Sequence, residues 1–168
     1  TTARSSRCRA ADCGTASGTA SPSSASPTRP STSGRARRPS TFKGRSNGGK
    51  GKGGAAACTS GSPVFSDCIF TGNEADDGIA QGGAILVVTE GTTRFIDCDF
   101  NENKSLDDAG GIYFNTVPNE LHLLLRCTFN GNLAPFDGGA VRCHYNSMVR
   151  FEGCEFTQNN ADRGACLQ

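Results

Sequence analysis

The chain has 168 residues with 17 Lys/Arg and 16 Asp/Glu, a formal net charge of +1. That sum averages two unlike parts: residues 1–57 hold eleven Lys/Arg and one Asp, whereas residues 58–168 hold six Lys/Arg and fifteen Asp/Glu. Before Cys58 the one large apolar side chain is Phe42, which excludes a single globule, because ordering the backbone costs about 1–2 kcal/mol per residue; no run approaches the roughly 20 apolar residues of a membrane-spanning helix either.

Residues 1–57 therefore read as a disordered basic tail rich in Ser, Gly, Arg and Pro. Pro22, Pro27, Pro30 and Pro39 block helix, and the glycines from Gly48 to Gly54 make a flexible linker. Arg- and Ser-rich, acid-poor composition also suits a targeting segment. The cluster Arg35, Arg37, Arg38, Lys43, Arg45, Lys50 and Lys52 suits nonspecific polyanion contact. With Phe42 as its one aromatic the tail offers no stacking platform, so no specific nucleic-acid partner is expected. The stretch GRSNGGKG at 44–51 lacks the Ser/Thr, the strand and the helix of a P-loop, and that reading is rejected.

From Cys58 onward the chain repeats. FSDCIFTGNEA, FIDCDFNENKS, LLRCTFNGNLA and FEGCEFTQNNA begin at Phe65, Phe95, Leu124 and Phe151, and each carries Cys-x-Phe-x-x-Asn. The cysteines are Cys68, Cys98, Cys127 and Cys154, spaced by 30, 29 and 27 residues. Phe70, Phe100, Phe129 and Phe156 keep step, as do Asn73, Asn103, Asn132 and Asn159. A second block follows each copy: GGAI at 82–85, GGIY at 110–113, GGAV at 138–141 and a degenerate RGAC at 163–166.

Apolar residues two apart, as in Ile96/Cys98/Phe100 and Leu125/Cys127/Phe129, have the period of a strand with one buried face. Short strands separated by Gly- and Asn-rich corners, in a unit near 30 residues, predict one coil of a parallel β-helix. The expectation is an all-β fold: a short right-handed parallel β-helix of about four coils over residues 58–168, behind a disordered tail at 1–57. Like residues then stack about 4.8 Å apart. Cys and Phe form core ladders, and Asn serves a corner because it tolerates left-handed backbone and can bond from coil to coil. Asp97 and Arg126 should be neighbours across one coil step and able to pair.

The paired blocks Phe-x-x-Asn and Gly-Gly-Ala-Ile resemble the repeats of the chlamydial polymorphic outer membrane proteins, which are right-handed β-helix proteins of the pectin-lyase-like type. The resemblance runs from about Phe65 to Cys166. It implies a surface-exposed or secreted β-helix with an adhesive role.

Chemical candidates are few. The nine cysteines form no Cys-x-x-Cys, and His122 and His144 have no metal-ligand spacing. The ladder cysteines read as buried thiols, although neighbouring coils bring pairs within disulfide range. Asp76/Asp77 and Asp107/Asp108 fall in corners that look equivalent and are weak Ca²⁺ candidates; solvated corner acids are the preferred reading. Arg142, His144 and Tyr145 read as a surface turn. Asn103-Lys104-Ser105 is a formal glycosylation sequon whose Asn is expected to be occupied by structure. No catalytic residue and no cofactor is assigned. The expected function is a noncatalytic structural or adhesive module, extracellular or at a cell surface, that binds a glycan or a protein; the alternative is a fragment of a carbohydrate-active lyase or hydrolase. The last coil carries no polar cap, so truncation at the C-terminal end is expected, with further β-helix coils or another chain as its cover.

Overall fold

The computed structural model describes residues 39–46, 53–76, 81–116, 120–144 and 147–168. Residues 1–38, and with them the tail's disorder, targeting and polyanion readings, lie outside the described residues, as do Lys50 and Lys52. Among the described residues all regular structure is strand, and every pairing is parallel.

Sixteen strands among the described residues, in chain order, build four sheets. One holds β3 (Ala56–Cys58), β7 (Ile85–Val87), β11 (Ile112–Asn115) and β14 (Val141–His144). The next holds β4 (Val64–Ser66), β8 (Arg94–Ile96), β12 (Leu121–Leu125) and β15 (Met148–Glu152). A five-stranded sheet follows: β1 (Ser40–Phe42), β5 (Cys68–Thr71), β9 (Asp99–Asn101), β13 (Thr128–Asn130) and β16 (Glu155–Thr157). A short fourth sheet pairs β2 (Arg45–Ser46), β6 (Glu74–Ala75) and β10 (Lys104–Ser105). Successive coils contribute to the sheets in turn, forming a parallel β-solenoid, and in the last two coils the bridges Lys104–Leu133 and Leu133–Asn160 continue the line of the short sheet.

The aromatic ladder shows why the coils stay in register. Phe42, Phe70, Phe100, Phe129 and Phe156 stack face to face, with successive centroids 4.8, 4.8, 4.7 and 4.9 Å apart. Phe65 and Phe95 form a second column at 5.0 Å, set edge-on to the first. Rings in such offset and T-shaped contacts gain about 0.5–1.5 kcal/mol per pair beyond their burial.

Phe42 moves the expected boundary. Among the described residues the solenoid already includes Ser40, ahead of Cys58, because Ser40 pairs with Cys68 and Phe42 with Phe70. Glu74 N–H donates to Gly44 O at 3.1 Å, so this first coil reaches the corner one residue sooner than the repeat allows. A strand with a single aromatic is stabilised by the ring of the next coil, a contribution invisible to composition.

Two further expectations are corrected. Phe95, Cys98 and Phe100 are the buried set, and so are Leu124, Cys127 and Phe129, while Ile96 and Leu125 are half-buried on the outer face. Asp97 and Arg126 adopt φ of 52° and 50°, and that left-handed bend shifts the alternation by one residue between β8 and β9 and between β12 and β13. The left-handed corner residues near the Asn ladder are likewise Gly72, Glu102, Gly131 and Gln158, each just before an Asn, not the asparagines themselves.

The asparagines serve as the hydrogen-bonding column. Nδ2 of Asn73, Asn103 and Asn132 donates to Oδ1 of Asn103, Asn132 and Asn159 at 2.7, 2.8 and 2.9 Å. The backbone N–H groups of Asn73, Asn103 and Asn132 donate to the same oxygens. The second amide proton of Asn103 goes to Phe70 O at 3.0 Å, and that of Asn132 to Phe100 O at 2.9 Å. Buried amides are thereby paired with neighbours of identical kind.

Candidate functional site

The glycine blocks do not stack as the sequence aligns them. Gly83 N–H donates to Ala109 O, and Ile85 pairs with Ile112. Ala109 therefore occupies the place of Gly82 and Gly138, and GGIY at 110–113 is one residue out of phase. The position just before this column holds Gln81, Asp108, Asp137 and Arg163, joined by the bridges Gln81–Asp108 and Asp137–Arg163 and by Ala109 N–H to Asp137 O at 2.9 Å.

Two buried acids thus lie in adjacent coils, Asp108 at 7% and Asp137 at 2% exposure. Arg142, on β14, supplies the compensating charge: its guanidinium contacts the Asp108 carboxylate and lies 2.9 Å from Asp137 Oδ2. Its carbon sits 5.8 Å from the centroid of the Tyr113 ring. Arg163 closes the other side of Asp137, with Nε 2.6 Å from Oδ1 and Nη2 3.0 Å from Oδ2. Asp107 stands half-buried beside this cluster. Burial, aided by the negative Asp108, pushes its carboxyl above the ordinary range, against the pull of Arg142.

The register separates the corner acids that the sequence aligned, and Asp108 is buried and ion-paired instead of solvated. Ala75 pairs with Ser105, whereas Asp108 lies over Asp137 and under Gln81, so Asp76 and Asp108 are not equivalent corners. Asp77 lies outside the described residues. Among the described residues no group of three or more His, Cys, Asp or Glu is placed to hold a metal ion. A fixed guanidinium already meets the Asp108 carboxylate, the role a cation would have had. Asp137 and Arg163 escaped sequence reasoning, and their only signal was a polar residue ahead of each glycine. Arg142 and His144 lie on strand β14 and not in the expected surface turn, and Arg142 belongs to this cluster; Tyr145 lies outside the described residues.

A second buried polar group centres on His122, fully enclosed on β12. Thr93 N–H donates to Nδ1 at 3.0 Å, so Nδ1 is an acceptor and the proton sits on Nε2, 3.0 Å from Thr116 Oγ1. Thr116 hydroxyl donates to Ser147 Oγ at 3.0 Å, and Ser147 donates to His144 O at 2.8 Å. Burial pushes His122 below its ordinary pKa, opposed by the charge of Glu120. This chain of bonds ties the same corner of three coils together.

The remaining candidates are structural. Cys98, Cys127 and Cys154 carry free thiols in the core column, whereas Cys68 is disulfide-bonded and departs from the expected row of thiols. Burial pushes the Cys143 thiol up to about 11. Asp97 and Arg126 form the expected pair, bidentate at 2.6 and 2.7 Å on the outer surface. Asn103 of the sequon is fully buried, with both amide protons taken. No helix among the described residues is long and apolar enough to cross a membrane.

Comparison with known proteins fits this geometry. A 114-residue stretch, 67% of the chain, is 32% identical to the probable outer membrane protein PmpH of Chlamydia trachomatis. A 129-residue alignment with the metabotropic glutamate receptor-like protein R of Dictyostelium discoideum is 26% identical and covers 64% of the chain. The matched stretches make up 10% and 8% of those proteins, so the chain spans about a tenth of the curated relatives. No solved structure matches it. The family described as right handed beta helix region matches residues 37–168, which includes the strand at Ser40–Phe42. With its stacked Phe, Asn and Gly columns, the chain belongs to the right-handed β-helix family and carries repeats of the polymorphic outer membrane protein type.

Proposed function

We propose that this chain is a noncatalytic structural or adhesive module, displayed at a cell surface or outside the cell, that presents its outer columns and corner loops to a glycan or a protein without a cofactor. The observation that carries this reading is the corner cluster. The acids best buried for chemistry, Asp108 and Asp137, are committed to Arg142 and Arg163 and stabilise the stack of coils. The inward Phe, Cys and Asn columns are equally committed, which leaves the outer surface as the part free to recognise anything. Similarity to a probable outer membrane protein supports the location.

One observation favours the alternative of a carbohydrate-active enzyme: the raised carboxyl of Asp107, a property suited to a general acid. Among the described residues the neighbouring carboxylates, Asp108 and Asp137, are ion-paired with Arg142 and so are not available as a base. Glycan-array and cell-binding assays of the full chain test the adhesive reading, and binding without turnover is expected. Depolymerisation of a bound polysaccharide, abolished by Asp107→Ala, would overturn it.

A further inference from the structure

Two outer columns of the solenoid carry matched patterns. On the sheet of β4, β8, β12 and β15, strand register places Val64, Arg94, Leu123 and Arg150 in one column, one residue per coil. On the sheet of β5, β9, β13 and β16 it places Ile69, Asp99, Thr128 and Glu155 in another. Both columns point outward, since the residues following them, Phe65, Phe95, Leu124 and Phe151 in one and Phe70, Phe100, Phe129 and Phe156 in the other, are the core ladders. Read from the first coil to the last, one column runs apolar, positive, apolar, positive. The other runs apolar, negative, hydroxyl-and-methyl, negative.

We propose that these faces dock on one another between two copies of the chain, side by side with their axes running the same way. Val64 then meets Ile69, Arg94 meets Asp99, Leu123 meets the Thr128 methyl and Arg150 meets Glu155. The common coil spacing keeps every pair in step, because both columns rise by about 4.8 Å per coil. Reversing one copy would set Val64 against Glu155 and Arg150 against Ile69, so the pattern selects one direction. Within one chain the two columns lie on different faces, separated by the left-handed bend at Asp67, Asp97, Arg126 and Gly153.

The positive column is unusual for this solenoid. Of the six Lys/Arg after residue 57, Arg142 and Arg163 are committed to the corner cluster and Lys104 lies 3.9 Å from Glu74. Arg94 and Arg150 remain for this one face, with Arg126 at the bend beside it. Arg126 is taken by Asp97, and Arg150 Nε lies 2.6 Å from Glu152 at an exposed site, where such a pair is weak and exchangeable. Exposed Leu121 and Met148 extend the apolar strip beside the column. The contact joins two different patches, so it propagates from copy to copy unless the rotation closes a ring.

Sedimentation equilibrium of the full chain tests this. Self-association in low salt is expected, weakened by roughly tenfold or more in high salt, because exposed charge pairs are screened. Arg94→Glu with Arg150→Glu should abolish it, and so should Asp99→Lys with Glu155→Lys. Mixing the two variants, or combining all four changes in one chain, should restore it. Should a reversal disturb folding by circular dichroism, the milder Arg94→Gln with Arg150→Gln carries the same expectation of loss. A monomer at every concentration in low salt would overturn the proposal. So would association that survives loss of the arginines but not of the acids, which would assign the contact to the basic N-terminal residues.

Discussion

The side-chain amide of Asn103 donates to the carboxamide oxygen of Asn132 at 2.8 Å, and its other proton goes to Phe70 O at 3.0 Å. A single, fully buried side chain therefore joins three successive coils. Replacing Asn103 by Ala leaves the Asn73 amide and the Phe70 carbonyl short of a partner, at about 1–3 kcal/mol for each buried group. The expected loss of stability is about 3 kcal/mol, read from chemical denaturation. A cost below about 0.5 kcal/mol would mean that the column contributes little.

Ala109 has φ of 56° where Gly82, Gly138 and Gly164 have 74°, 62° and 58°. An L residue with a Cβ is strained in that region, and glycine is not. Ala109→Gly should therefore stabilise the chain by about 1 kcal/mol, even though glycine increases the entropy of the unfolded state. An unchanged or lowered denaturation midpoint would contradict the register that aligns Ala109 with Gly82.

Arg142 compensates two buried carboxylates, of which the Asp137 side chain is only 3% exposed. Removing one partner of such a cluster leaves uncompensated charge in a poorly solvated site. Arg142→Ala is expected to cost about 3 kcal/mol, and Asp137→Asn in the same chain to recover part of that loss. Additive effects in the double-mutant cycle would argue against the cluster.

His122 makes stability depend on pH. Its pKa lies below 6.5 in the fold because burial disfavours the imidazolium, and its Nδ1 already accepts the Thr93 N–H. As pH falls the unfolded chain takes up the proton first. The contribution of His122 is thus complete above pH 6.5 and declines as pH drops from there towards the folded-state pKa. Denaturation midpoints should fall between neutral and mildly acidic buffer, and His122→Gln should flatten that part of the profile. An identical slope in the variant would remove His122 as the cause.

Much of this structure is legible from the chain alone where one residue type recurs at one interval. Cys68, Phe70 and Asn73 reappear at close to 30-residue spacing, and stacking identical residues is the cheapest way to satisfy a ring or an amide in a narrow core. Phe42 was not legible, since nothing near it repeats the Cys or the Asn, and its place follows from the ring of Phe70. Ile96 and Leu125 misled for a different reason. Strict alternation holds only while φ stays negative, and Asp97 and Arg126 adopt the left-handed region although their residue types do not require it.

The corner cluster marks the same division. Asp108 was visible as an acid, but its neighbour depended on whether the glycine block stacked on Gly110 or one residue earlier. That one-residue choice brings Asp137, Arg142 and Arg163 together. By itself the sequence determined the coil period, the parallel pairing and the identity of the ladders, because these follow from local repetition. The tertiary structure decided the exact phase of each corner, the coil that includes Ser40 and the partners of the buried charges Asp108 and Asp137, because those depend on which coil lies above and below.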